Sequence, residues 1–117
     1  MSGIVSHLKG QAAEAQVEAL YSRRGARILA RRWRGEGGEL DLILRQGEEV
    51  VFVEVKASRT IDRALASLSR RQITRILQSA AHFVGTLSTG SLTNMRFDVA
   101  AVDATGRIEI VENALAA

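Results

Sequence analysis

A chain of 117 residues, 46% of them hydrophobic, has the size of one domain with one core; a single domain over 1–117, core about 7–112, is expected. No apolar run approaches the roughly 18 to 20 residues of a membrane span, and the first residues lack a signal peptide's basic start and apolar stretch, which predicts a cytoplasmic protein without a membrane partner. The formal net charge is only +3, and zero cysteines exclude disulfides and thiol chemistry.

In chain order, residues from about His7 to Arg24 read as a helix, with Leu8, Ala12, Ala15, Val17, Ala19 and Leu20 as an imperfect apolar stripe and Gly25 as its stop. A strand follows at about Arg27 to Arg34, and then the turn Arg34-Gly35-Glu36-Gly37-Gly38. Gly38 fits that turn by taking a backbone conformation closed to other residues. Two further runs, Glu39 to Leu44 and Val51 to Lys56, alternate in aliphatic and β-branched residues and read as strands joined by Gln46-Gly47-Glu48-Glu49. Ser58 to Leu68 reads either as a loop that continues into a helix or as a mobile segment. From about Ser69 to Phe83 a second helix is predicted, with Ser69 as N-cap and Ile73, Ile76, Leu77, Ala80, Ala81 and Val84 on one face. After a loop over Gly85 to Ser91, strands at about Arg96 to Val102 and Arg107 to Val111 surround an Asp103-Ala-Thr-Gly106 turn. The order α-β-β-β-α-β-β predicts an α/β fold: a mixed sheet flanked by helices.

The central hairpin carries the chemistry. With Arg45 facing Val50, pairing outward sets Asp41 opposite Glu54 and Glu39 opposite Lys56, with Cβ atoms about 4.5 to 5.5 Å apart. Leu40, Leu42, Leu44, Val51, Val53 and Val55 then form one apolar face, while Glu39, Asp41, Ile43, Phe52, Glu54 and Lys56 form the other. The charges of the second face would ordinarily be solvated. Against that, like charges directly opposite each other are destabilising, and Ile43 and Phe52 call for something to pack on this side as well. A cation between Asp41 and Glu54 removes the conflict. Hard oxygen ligands favour Mg²⁺ or Mn²⁺, and a chain with no Cys and two His offers little to a softer metal.

An Asp followed at a distance by Glu-Val-Lys at the end of an apolar strand resembles the PD-(D/E)XK nuclease signature, with Leu40 where that name has proline. The wider pattern is more specific: Gly10-Gln-Ala-Ala-Glu14-Ala, Ile28-Leu-Ala-Arg-Arg-Trp-Arg34, Gly38-Glu-Leu-Asp-Leu-Ile43, Val51-Phe-Val-Glu-Val-Lys56 and Arg96-Phe-Asp-Val99. In this order and spacing, over roughly residues 7 to 103, the chain resembles the YraN-like family, an uncharacterised group similar to archaeal Holliday junction resolvases. The resemblance implies a restriction-endonuclease-like fold and a metal-dependent endonuclease acting on DNA, branched or junction DNA included, with Asp41, Glu54 and Lys56 as catalytic residues. It also implies a metal held by Asp41, Glu54, Glu14 and the Val55 carbonyl, and a homodimer if the likeness to resolvases extends beyond the fold, since two symmetric cuts need two sites. The alternative is a nucleic-acid-binding or recombination accessory module that keeps the fold without chemistry.

Residues 1–37 hold seven Lys or Arg against three acids, and residues 59–75 hold five Arg against Asp62 alone. Fourteen of the sixteen cations are Arg, which suits bidentate contact with phosphate, so a nucleic-acid partner is expected at Arg32, Arg34, Arg71 and Gln72. Simple surface solvation explains Arg71 and Gln72 almost equally well. Glu14 could instead be a helix-surface acid paired with a cation. Glu39, on the face of Asp41, could hold a water behind the metal ligands or pair with Lys56. Trp33 is expected to pack rather than to stack on a base, and neither His7 nor His82 is marked as a ligand.

Overall fold

The computed structural model describes residues 2–114, with side chains from Gly10 onward. Helix α1 (Ser2–Arg23) is followed by three antiparallel strands, β1 (Arg27–Gly35), β2 (Gly38–Gln46) and β3 (Glu49–Ala57). Two helices, α2 (Ile61–Ala66) and α3 (Arg70–Gly85), and a 3₁₀ turn at Gly90–Leu92 lead to β4 (Met95–Val102) and β5 (Ile108–Val111). The five strands form one sheet in the order β1-β2-β3-β4-β5, mixed because β4 lies parallel to β3 while every other neighbour is antiparallel. The α/β fold and the element order are as the sequence predicts. The segment Ser58 to Leu68, ambiguous in sequence, contains α2, capped by the Thr60 hydroxyl accepting from the Arg63 amide at 3.1 Å. No helix among the described residues is long and apolar enough to cross a membrane.

Both faces of the sheet are covered. On one, Ala13, Val17 and Tyr21 of α1 pack over Leu42, Leu44, Val51, Val53, Ala100 and Val102. This is an i, i+4, i+8 stripe. The alanines at 12, 15 and 19, expected to be apolar contacts, are exposed instead, and Leu8 lies outside the side chains described. On the other face, Ile76, Ala80, Phe83 and Val84 of α3 cover Leu40, Ile43, Val50 and Phe52, so Ile43 and Phe52 do have a partner. Leu77 and Ala81 of the predicted stripe are exposed and Ser79 and Phe83 take their place. Trp33 packs here, edge-on to His82 and Phe83 with centroids 5.1 and 5.2 Å away.

The hairpin register is the expected one, with Arg45 opposite Val50, and it carries Asp41 to the level of Glu54. The connection is tighter than a four-residue loop, because Gln46 and Glu49 pair and only Gly47 and Glu48 turn the chain. Gly47 has φ +61°, the positive value that a two-residue hairpin turn needs.

The expected faces need correction at Leu40 and at Asp41, which lines the α1 side with Glu14 and Arg32 instead of sharing the face of Ile43. Leu40 lies with Ile43 on the α3 side, whereas Leu42 lies on the α1 side, so strict alternation fails around Asp41. The cause is in β1. Its register shifts between Ile28 and Ala30, and Arg32 adopts φ +50°, so Arg31 and Arg32 both reach α1 while Trp33 turns to α3. Leu40 pairs with Trp33 and follows it. A second anchor holds the same turn: the Ser79 hydroxyl donates to the Gly38 carbonyl at 2.8 Å, and Gly38 takes φ +123°.

Candidate active site

Beyond the Leu42–Val53 pair the β2–β3 ladder ends, and the two strands open into a fork. Asp41 stands in that fork. Its Oδ2 accepts a hydrogen bond from the Val55 amide at 2.8 Å, so a side chain takes the place of a backbone acceptor. The N–H and C=O of one strand residue face the same neighbouring strand, so the Val55 carbonyl lies on the Asp41 side of β3. Glu54 lies within electrostatic and hydrogen-bonding reach of Asp41, and the Lys56 ammonium approaches Glu54 Oε2 at 3.2 Å. The side chains of Glu54 and Lys56 are only 14% and 16% exposed, so this cluster is largely sheltered from water.

Shelter and like charge together act on Glu54. Burial, then the neighbouring Asp41 carboxylate, pushes its carboxyl up to about 8, while Lys56 pulls the other way without compensating. A second carboxylate therefore keeps its proton near neutral pH unless a cation joins the pair. That is the situation a divalent metal relieves, and the acidic and carbonyl oxygens at Asp41, Glu54 and Val55 suit a hard ion.

Glu14 comes close to this group without joining it. It extends from α1 toward Asp41 and Glu39, and Arg32 Nε donates to its Oε1 at 2.9 Å. Burial holds the Glu14 carboxyl above its usual range, the Arg32 bond lowers it, and the Asp41 charge raises it again. Among the described residues no three His, Cys, Asp or Glu side chains stand close enough together to hold a metal. Asp41 and Glu54 are thus brought together, and Glu14 is held one ion pair away.

The remaining candidates scatter. Lys56 pairs with Glu54 rather than with Glu39, because the ladder that would have set Glu39 opposite it has ended; Glu39 is exposed and pairs in register with Arg34 of β1. Arg71 is exposed in the first turn of α3. Gln72 serves the helix: its Oε1 accepts from the Ser69 amide at 3.0 Å while the Ser69 hydroxyl accepts from the Gln72 amide at 3.1 Å. This capping box was readable as Ser-x-x-Gln. His82 accepts from the Glu36 amide through Nδ1 at 3.0 Å, and the side chain of His7 lies outside the described residues.

Sequence reasoning did not foresee a second polar cluster, which starts at Asp98 level with Val53 and reaches the closed end of the hairpin through Arg96. Asp98 of β4 is buried and receives the Tyr21 hydroxyl at 2.7 Å, the Arg96 guanidinium at 3.0 and 3.1 Å and the Asn113 amide at 3.0 Å. Arg96 reaches on to Glu49 and Gln46 at 3.2 and 2.8 Å. Burial and the Asp98 charge drive the Tyr21 phenol far above its usual range. The only signal for it in sequence was an Arg and an Asp two residues apart on one face of a strand, with a tyrosine in the helix stripe.

The chain is similar to several proteins over nearly all of its length. A UPF0102 protein of Cereibacter sphaeroides is 55% identical over 117 residues, covering 100% of both chains. One of Ruegeria pomeroyi is 57% identical over 112 residues, covering 96% of this chain and 91% of its own. Another, of Dinoroseobacter shibae, is 48% identical over 111 residues, covering 95% and 83%. Residues 13–102, which run from α1 through β4 and include Glu14, Asp41, Glu54, Val55 and Lys56, match the Uncharacterised protein family UPF0102, the YraN family, and the chain belongs to it.

Proposed function

We propose that this protein is a metal-dependent endonuclease that hydrolyses phosphodiester bonds in DNA, with branched or junction DNA as the substrate class to examine first. One observation carries the reading: two carboxylates, Asp41 and Glu54, share a sheltered fork between strands with the Lys56 ammonium beside them. Asp41 and Glu54, with the Val55 carbonyl, would hold Mg²⁺ or Mn²⁺. When bound, such an ion supplies charge neutralisation at the phosphate and a water of lowered pKa. The Val55 amide fixes the Asp41 carboxylate, so its position costs no reorganisation during reaction. Lys56, positioned by Glu54, would orient the attacking water or offset charge gathering on the phosphoryl oxygens. Arg34 and Arg71, both exposed, would hold the phosphate backbone without reading sequence.

The test is a labelled panel of duplex, single strand, flap, four-way junction and structured RNA, each with Mg²⁺ and with Mn²⁺, with Glu54→Ala alongside. Cleavage that disappears in the variant supports the reading. Asp41→Asn and Lys56→Ala should each slow cleavage by about 10² or more, the usual effect of removing one such group. Cleavage that survives all three changes refutes it.

A second reading has its own observation. With Glu14 bound to Arg32 and no third acid assembled, the same surface serves as a nucleic-acid-binding accessory module without chemistry. Salt-sensitive binding of the panel with no cleavage under either metal selects it.

A further inference from the structure

Arg32 is an unusual residue for a strand. Its φ of +50° is the only positive value at a non-glycine residue within a described strand, and a side chain beyond Cα makes that conformation costly. The cost has a visible consequence. Reversing the backbone there sends Arg31 and Arg32, neighbours in sequence, to the same side of the sheet, where they meet Glu18 and Glu14 of α1. Arg31 spends two nitrogens on Glu18, at 2.6 and 2.9 Å. Arg32 spends only Nε on Glu14, and among the described residues its two terminal nitrogens meet no acceptor.

These groups line an open cleft of about 410 Å³ between α1 and the sheet, whose walls include Gln11, Glu14, Arg32 and Asp41. Glu14 therefore stands between a guanidinium on one side and the Asp41 carboxylate on the other. Among the described residues no third acid stands with Asp41 and Glu54, and Arg32 holds Glu14 on its own side.

We propose that Arg32 is a positioning residue which holds Glu14 in reserve, and that a nucleic-acid phosphate entering the cleft takes over its guanidinium and frees Glu14 to join Asp41 and Glu54. The idea rests on the metal-dependent reading of the site. The two terminal nitrogens of Arg32, without an acceptor among the described residues, present the fork that a phosphate accepts. Metal and nucleic acid then become coupled ligands, each tightening the other, because both are favoured by the same release of Glu14.

Binding of Mn²⁺ to the protein without nucleic acid, followed by calorimetry, tests this independently of cleavage. Arg32→Gly removes the guanidinium and tolerates the positive φ, so the fold is kept. It should bind Mn²⁺ about fivefold more tightly than the native chain or better, the lower end of ordinary coupling between two ligands. Adding Glu14→Gln should return the affinity to the native level, whereas loss of a distant positive charge alone would leave the gain in place. If Arg32→Gly binds Mn²⁺ no more tightly, or the gain survives Glu14→Gln, the reserve role of Arg32 is overturned while the metal site stands. If native Mn²⁺ binding is absent or indifferent to Glu54→Ala, the metal-dependent reading falls, and this inference with it.

Discussion

Two acidic clusters beside the central hairpin use the same residue types to opposite effect. On the β4 side Asp98, level with Val53, is fully buried, yet a tyrosine hydroxyl, a guanidinium and a backbone amide satisfy it. At the open end Asp41 and Glu54 are left facing each other, with one backbone amide and one lysine between them. A buried acid that is fully paired fixes structure, because removing any partner strands the rest. A pair of acids that cannot both ionise comfortably is a place where the fold leaves a cost unrelieved. Such a cost marks a candidate for chemistry, since a bound cation turns it into affinity.

The sharpest way to break this contrast is to remove the acid from each cluster. Asp98→Ala should destabilise the protein by about 3 to 5 kcal/mol in urea denaturation, because Arg96 and Tyr21 would lose their shared partner in the core. Glu54→Gln should instead leave stability unchanged or raise it when metal is absent. Equal losses in the two clusters would end the comparison.

The acidity of the open end gives a second, smaller test. The folded-state value for Glu54 lies above the unfolded one, so folding is favoured while the group keeps its proton. Stability of the metal-free protein should therefore be full near pH 4.5 and fall as pH rises toward about 8, by on the order of 2 kcal/mol. Thermal melts with a chelator present would show the fall in the native chain and a flatter profile in Glu54→Gln. A cation should restore the loss, and the restoration should grow with pH as its ligands shed protons.

A third variant disturbs the frame of the open end without touching its acids. A Cβ at Gly37 would stand 2.3 Å from the Arg75 carbonyl of α3, a backbone atom that cannot step aside. Gly37→Ala should cost about 2 kcal/mol by urea denaturation, the range of overpacking in a close-packed contact. The smallest effect belongs to Glu18→Ala, which removes an ion pair whose arginine is 64% exposed. A loss under about 1 kcal/mol is expected there, and a larger one would mean that the Arg31 bond helps to hold the strand reversal at Arg32.

Much of this contrast was legible in the chain. Alternation with period two and a glycine at the turn specify the hairpin register, and the register alone brings Asp41 level with Glu54. Ser69 followed three residues later by Gln72 marks the start of α3. These are local signals, carried by residues close in sequence. The face of Leu40 was not legible, because it depends on a reversal at Arg32 in the neighbouring strand, and arginine carries no sequence signal for a positive φ. Nor was the state of Glu14, whose partner Arg32 is chosen by how α1 lies across β1.

The sequence by itself determined the element order, the sheet-forming hairpin and the membership of Asp41, Glu54 and Lys56 in one neighbourhood, because periodicity, capping and turn chemistry act over a few residues. Only the tertiary structure decided that Asp98 is satisfied and Glu54 is not. Tyr21 lies 77 residues from Asp98 along the chain, and the burial that raises Glu54 exists only in the folded chain. Burial and long-range pairing are properties of the packed layers, and no single segment carries them.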